Sequence, residues 1–399
     1  MIEMVVVGHI DHGKSSLIGR LLVETGKIKE DVYQRIRRKF KDDLNYALFL
    51  DSLKEEQVGG ITIDSTKIRF TYNDKSYTIV DVPGHEEFMK NMVTGACFAN
   101  VAVVVVDATE GFRKQTYNHM KVLSVLGIEN IVIVINKMDL VNYSQTIFNK
   151  KKKELLVVAS SLGFTVHGVV PVSSKYGDNI CCKSANTPWY DGPTFLDCFD
   201  INYEFEECCQ TSSRFVVQGL YDGYALGKVV CGSFEKLDKV FVYPGKETTV
   251  IKEIQKWPDE NLFTAQCGSS ICMKFEHDIA RRGSIIVRCC DTQPNVTCSF
   301  KATVFWIADT SLNKGDKLIA KIMTYEFPVY VSQIYNDLNT EVRKFDDKEL
   351  LESLSKNYFC VVKFISQNSI IIDYHKEIPE LGRFVLTKNN IICGGGIII

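Results

Sequence analysis

Two runs of β-branched residues restrict the folds open to this chain more than any other feature. They are Val101-Ala102-Val103-Val104-Val105-Val106 and Ile131-Val132-Ile133-Val134-Ile135. Each is apolar without alternation and stops at a polar residue, Asp107 or Asn136. A strand with one wet face alternates. A continuous run implies burial on both faces, as in a parallel sheet covered by helices on each side. The spacing predicts helices over 115–126 and 146–162, completing a βαβα order. Ligands of such an open α/β domain sit at the carboxyl ends of its strands.

The rhythm changes after residue 209. Short alternating segments follow at 214–217, 239–243, 248–254 and 284–288, separated by turn signals such as Pro244-Gly245 and Arg282-Gly283. A second set begins near residue 299 and includes 302–307, 359–364, 370–373 and 382–386. Short, evenly spaced strands with few helices predict two small β-barrels. One helix is expected over 346–355. Gly394-Gly395-Gly396 is expected to allow a close turn into a last strand. A length of 399 residues exceeds one ordinary core, and the expected domains are 1–208, 209–296 and 297–399.

Composition closes some alternatives. The chain is 45% hydrophobic and 24% charged, the balance of a globular protein. Lys plus Arg is 47 against 49 for Asp plus Glu, a net charge of −2, so the whole chain is no polycation made to coat nucleic acid. The basic run at 150–153 falls on an expected helix and reads as a solvated face. The apolar run at 4–7 is too short for a signal peptide or a membrane span. A cytoplasmic location, no membrane partner and reduced thiols are therefore expected. The 14 cysteines include adjacent pairs such as Cys181-Cys182 and Cys289-Cys290 but no CxxC spacing. Most of them are read as small buried hydrophobes, and none as part of a zinc site.

The motifs carry the chemistry. Gly8-His9-Ile10-Asp11-His12-Gly13-Lys14-Ser15 has the spacing GxxxxGK[ST], directly after the first apolar run and opening a helix over 15–25. Glycines let backbone N–H groups wrap a phosphate, and the helix N-terminus adds its dipole. Lys14 supplies a cation for the outer phosphates, and the Ser15 hydroxyl is placed for Mg2+. The expected phosphate-side set is Gly8, His9, Asp11, His12, Gly13, Lys14, Ser15 and Ser16. Asp81-Val82-Pro83-Gly84-His85 ends another strand. Asp81 there would hold the Mg2+ shell through water, the Gly84 N–H would sense a γ-phosphate, and His85 would position an attacking water.

Asn136-Lys137-Met138-Asp139 and Ser173-Ser174-Lys175 follow two further strands. A carboxylate at Asp139 can accept both the N1–H and the N2–H of guanine, which adenine cannot offer. Asn136 and Lys137 would brace the loops and cover the base, with Ser173, Ser174 and Lys175 beside it. Thr62, in Gly60-Ile61-Thr62-Ile63-Asp64, would close over the γ-phosphate and add a second hydroxyl to Mg2+. Together these motifs read as a GTP site, with GTP or GDP and Mg2+ as cofactors.

In this order, GHIDHGKS, GITID, DVPGH, NKMD and SSK resemble the translation-factor superfamily of GTPases across essentially the whole chain. The resemblance implies an α/β P-loop GTPase domain followed by two small β-barrel domains. It also implies Ser15 and Thr62 as magnesium ligands and His85 as the catalytic, water-positioning residue. The long insertion over 27–57, expected to be helical, is similar to two branches. One is the GTPase subunit of sulfate adenylyltransferase, which Leu17-Ile18-Gly19-Arg20-Leu21-Leu22, the 136–144 segment and Phe305-Trp306 resemble more closely. That branch implies a regulatory subunit coupling GTP hydrolysis to formation of adenylyl sulfate from ATP and sulfate, the adenylyl transfer being done by a partner catalytic subunit. The other is the alpha-type elongation factors, implying delivery of aminoacyl-tRNA to the ribosome. His12 stands where the sulfate subunit usually carries Asp, and the 220–224 segment looks shorter than its counterpart there. The DVPGHEEF wording also resembles the selenocysteine-specific elongation factor, whose further C-terminal domains have no counterpart here.

Overall fold

The computed structural model describes residues 2–28, 30–40, 46–50, 66–72, 75–81, 99–110, 113–199, 212–256, 260–335, 350–356 and 358–399. The chain divides into two compact units, Met1–Tyr203 and Glu204–Ile399.

The first unit is built on a six-stranded sheet. Its strands are β1 (Ile2–Gly8), β2 (Thr66–Tyr72), β3 (Lys75–Asp81), β4 (Val101–Asp107), β5 (Asn130–Asn136) and β6 (Thr165–Pro171), in the spatial order β2-β3-β1-β4-β5-β6. All neighbours are parallel except the β2–β3 hairpin. Every residue of β4 is buried, as are all but the first of β5. Helices α1 (Lys14–Glu24), α2 (Glu30–Phe40), α3 (Lys114–Val125) and α4 (Gln145–Ser161) accompany the sheet. α3 packs on β1 and β4, and α4 packs on β6. A helix N-terminus follows the first strand, so the backbone amides of its first turn face the carboxyl edge of the sheet. α4 starts at Ser144, whose hydroxyl accepts from the Ile147 N–H at 3.4 Å.

The second unit holds two closed antiparallel barrels of six strands each. The first runs Lys239–Tyr243, Ile285–Arg288, Arg214–Tyr221, Tyr224–Cys231, Ser270–Phe275 and Glu247–Lys256, then back to the first strand. The second runs Lys317–Ile322, Arg383–Lys388, Ile391–Ile398, Asn295–Trp306, Phe359–Ile372 and Tyr325–Tyr335, and closes the same way. Burial alternates along Ser270–Phe275 and Lys317–Ile322, the period that a barrel wall requires. The barrels share apolar contacts: Val216, Val230 and Cys231 of the first join the core of the second. Across this junction the Arg214 guanidinium donates from Nε and Nη2 to the two carboxylate oxygens of Asp373, at 3.0 and 2.8 Å. Both residues are almost wholly buried.

Four expectations change. Among the described residues only Cys198, Cys231, Cys360 and Cys393 are buried thiols, while Cys182, Cys267, Cys290 and Cys298 are exposed, so burial does not account for most of the cysteines. Residues 346–349 lie outside the described residues, but 350–354 are extended, not helical: Leu350–Leu351 pairs with Ile334 and Tyr335, and Ser353–Leu354 with Leu312 and Asn313. The strand pairings, not the burial pattern, fix the extended state here: Leu354 is buried opposite Leu312 while Ser353 is exposed. Segments 359–364 and 370–372 belong to one strand, Phe359–Ile372, interrupted in its pairing by a bulge. The glycine triplet lies inside Ile391–Ile398 and forms no turn. A Cβ on Gly396 would collide with the Thr303 carbonyl across the ladder, so a side chain is excluded there by close approach.

The second barrel also buries a histidine. His375 is 7% exposed, its Nε2 has no hydrogen-bond partner among the described residues, and its pKa is pushed down to about 3, chiefly by burial and further by Arg383. In the unfolded chain the same ring gains its proton near pH 6.5. The unfolded state therefore holds more protons between those values, and stability present above pH 6.5 is lost as pH falls toward 3. Going from pH 7 to pH 5, this group should remove about 2 kcal/mol. Denaturant midpoints at both pH values, for the parent and His375→Phe, check this: the variant should lose less on acidification. Equal losses would show that His375 does not titrate this way.

Candidate functional site

The carboxyl ends of β1, β5 and β6 carry the phosphate loop, the 136–139 motif and the 173–175 motif in their turns, and β3 ends at Asp81. β1 runs out at Gly8, and the loop 9–13 returns to α1 through Gly13 at φ +85°. A Cβ on Gly13 would meet the Asn136 side-chain amide, so glycine serves both the turn and the close contact. Among the described residues no side chain caps α1 at this end, which leaves the helix N-terminus a seat for an anion. Lys14 is 8% exposed, and its ammonium donates to the carbonyls of Gly8 at 2.9 Å and His9 at 2.8 Å. Burial lowers its pKa to about 8, against the opposing pull of Asp81 and Asp11. A phosphate arriving beside this cation would favour its charged form.

The two loop histidines do different things. His12 is buried beneath the loop, where Nδ1 donates to the Val105 carbonyl at 3.2 Å and Nε2 lies 3.4 Å from Glu110. Burial holds its pKa below the ordinary histidine value. Its side chain therefore anchors the loop to β4, and only its backbone belongs to the rim. His9 meets Gln115 of α3 through Nδ1 and the edge of the His12 ring at 5.2 Å. Asp11 is exposed at φ +62°. Ser15 and Ser16 are half-buried in the first turn of α1.

On the other side, Asn136 ties three loops together. Its Nδ2 donates to the His12 carbonyl at 2.9 Å, and its Oδ1 accepts from the Ser174 N–H at 3.1 Å and the Ser174 hydroxyl at 2.9 Å. All of these groups are buried, so the bonds are not traded for water. Asp139 Oδ1 accepts from the Ser173 hydroxyl at 2.7 Å, which orients the carboxylate. Lys137, at φ +62°, sends its ammonium to Asp107 Oδ2 at 2.7 Å. Burial alone would raise the Asp107 pKa, but bonds from Lys137 and Thr109 outweigh it and hold the carboxyl below its usual range. Lys175 is exposed beside Ser174.

The structure thus brings the phosphate loop, the Asn136–Asp139 turn and the Ser173–Lys175 turn into one hydrogen-bonded rim. Asp81 is 8% exposed at the end of β3. Thr62, Gly84 and His85 lie outside the described residues. Sequence reading passed over Asp107, Gln115 and His119. Asp107 had a signal, a carboxylate ending an apolar strand. His119 is 3% exposed with its pKa lowered to about 4, first by burial and then by Lys14 and His9, and its Nδ1 has no hydrogen-bond partner among the described residues. Nothing in its sequence neighbourhood marks it. Among the described residues no group of three or more His, Cys, Asp or Glu could hold a metal ion. Ser15 and Asp81 do offer the oxygen donors that Mg2+ takes when nucleotide phosphates complete its shell.

Residues 1–251 match the family described as the elongation factor Tu GTP binding domain, and residues 299–399 match the GTP-eEF1A C-terminal domain-like family. Elongation factor 1-alpha of Archaeoglobus fulgidus is 32% identical over 100% of this chain and 97% of its own. The bifunctional enzyme NodQ of a Rhizobium species is 31% identical over 100% of this chain, which spans 64% of that protein. The fold is also that of the S. cerevisiae Ski7 GTPase-like domain bound to GTP, with a TM-score of 0.61, 17% identity and coverage of 100% of this chain and 97% of that one. The first match alone spans more than half of the chain and takes in the whole rim just described, so the chain belongs to the elongation factor Tu-type GTP-binding family of the translation-factor superfamily.

Proposed function

We propose that this translation-factor-like GTPase acts as an elongation factor of the 1-alpha kind, binding aminoacyl-tRNA in its GTP form and delivering it to the ribosome. The observation that carries the reading is the end-to-end correspondence with the Archaeoglobus fulgidus factor, 100% of this chain against 97% of its relative. Charge is compatible with it. The chain is near neutral, but α2 exposes Arg35, Arg37 and Arg38, and α4 exposes Lys150 and Lys153, and a local basic patch is enough to attract RNA. A GTPase subunit of sulfate adenylyltransferase, with a separate catalytic partner, remains the second reading. It rests on the segments around Arg20, the 136–144 segment and Phe305-Trp306.

In this proposal the phosphates lie on Gly8, His9, Asp11, His12, Gly13, Lys14, Ser15 and Ser16, mostly through backbone. Asn136, Lys137, Asp139, Ser173, Ser174 and Lys175 form the guanine side. Ser15, Thr62 and Asp81 serve Mg2+, which when bound supplies charge neutralisation at the β- and γ-phosphates. Gly84 meets the γ-phosphate, and His85 orients the water. His85→Ala should keep nucleotide affinity and slow single-turnover hydrolysis by ~10²-fold or more; an unchanged rate would remove His85 from the reaction.

The deciding experiment measures spontaneous hydrolysis of the aminoacyl ester on tRNA. Protection with GTP and its loss with GDP are expected. No protection in either state, together with GTPase activity stimulated by ATP and sulfate in a heteromer with an adenylyltransferase, would replace this reading by the second.

A further inference from the structure

One guanidinium in the first unit touches three segments that are far apart in the chain. Arg20 lies near the middle of α1, and its Nε donates to Glu24 at 2.6 Å on the next turn. Its Nη1 donates to the Tyr46 hydroxyl at 2.7 Å and to the Lys175 carbonyl at 3.3 Å. The Tyr46 ring also lies under the guanidinium, 4.6 Å from centroid to Cζ. Tyr46 belongs to the insertion after α1, where a Cβ on Gly19 would strike its backbone carbonyl. A Cβ on Gly177 would likewise meet the Arg20 guanidinium and the Glu24 carboxylate. The side-chain pair is therefore seated directly against the 173–177 turn.

That turn has two supports. From β5 it is held by Asn136 and Asp139 through Ser174 and Ser173. From α1 it is held by Arg20 through Lys175, and the Gly177 N–H closes it on Ser173 O at 2.8 Å. Arg20 stands six residues after Lys14, about 9 Å along a helix. The same rigid helix thus carries the phosphate seat at one end and the brace of the base-side turn further on. A nucleotide bound at both places is gripped by two points whose separation α1 fixes.

We propose that Arg20 is a positioning residue that holds the Ser173–Gly177 turn against the base and so limits the rate at which guanine nucleotide leaves. It touches no nucleotide itself. Lysine cannot replace it fully, because a single ammonium lacks the planar fork that reaches Glu24, Tyr46 and Lys175 together. The inference rests on the guanine assignment of the base-side turns.

The test uses the full chain and two probes: fluorescent GDP, whose release is timed, and inorganic triphosphate, which engages the phosphate loop and no base. Arg20→Ala should speed GDP release about tenfold or more while the affinity for inorganic triphosphate stays within about twofold, with Arg20→Lys in between. In a folded variant, equal weakening of both probes, or unchanged GDP release, would overturn the proposal. If Arg20→Ala does not fold, Arg20→Lys carries the same comparison. Failure of the guanine assignment looks different, since parent protein would then bind GDP no better than ADP.

Discussion

Asp139→Asn is expected to weaken GTP by ~10²–10⁴-fold while raising affinity for xanthosine triphosphate. The parent carboxylate is oriented by the Ser173 hydroxyl, which donates to Oδ1 at 2.7 Å. A carboxamide can keep that bond by turning its own oxygen to Ser173, which places its NH2 toward the base edge. Guanine presents two N–H donors there, so an accepting pair becomes a donor facing a donor. Two charge-assisted bonds at about 1.5–3 kcal/mol each set the size of the loss. Xanthine carries a carbonyl in place of the 2-amino group and accepts from the new NH2, which restores a match. Equilibrium titration with both nucleotides measures the switch. Equal GTP affinity in parent and variant would mean that Asp139 does not read the base.

The second large effect concerns stability. Removing one member of the Arg214–Asp373 pair, by Arg214→Met or Asp373→Leu, should destabilise the two-barrel unit by about 3–5 kcal/mol. Each side chain is about 2% exposed, so the survivor is left as a buried charge. Arg214 also gives hydrogen bonds at 2.9 Å to the carbonyls of Ser213 and Thr292, which Met would leave unmet. The double replacement should cost clearly less than the sum of the singles, because no charge is then stranded. Chemical denaturation of the full chain, following the transition of Glu204–Ile399, gives the three values. Strict additivity would show that the pair is energetically uncoupled.

The parts of the fold that were legible in the sequence share one property: their signals are local and periodic. Val101–Asp107 and Asn130–Asn136 were readable as doubly buried strands because nothing polar interrupts them. The phosphate loop was readable because anion binding by backbone needs glycine at set places. The 346–355 region misled because a mixed run with leucines at 350, 351 and 354 is compatible with helical spacing. Only pairing with Leu312 and Ile334 at least 16 residues away makes it extended. The glycine triplet misled for the same reason, since the need for glycine at 396 comes from Thr303 on the neighbouring strand.

At the candidate site the division is similar. Asn136, Asp139, Ser173 and Ser174 were named from motifs, and the structure joins them by hydrogen bonds. The direction of the His12 side chain, inward to Val105, was not legible, because a motif fixes residue types and not rotamers. Neither was the buried His119, whose charge environment is set by Lys14 and His9.

The sequence by itself determined the order of the elements, the phosphate-loop and Asn136–Asp139 motifs, and the passage from α/β to all-β. These depend on period and spacing, which a chain carries in one dimension. Only the tertiary structure decided that Arg20 braces Lys175, that Arg214 meets Asp373, and that Asn136 ties its own turn to the phosphate loop and the 173–175 turn. Each of these joins groups separated by tens to more than a hundred residues, and such contacts exist only once the sheet and the barrels have closed the distance.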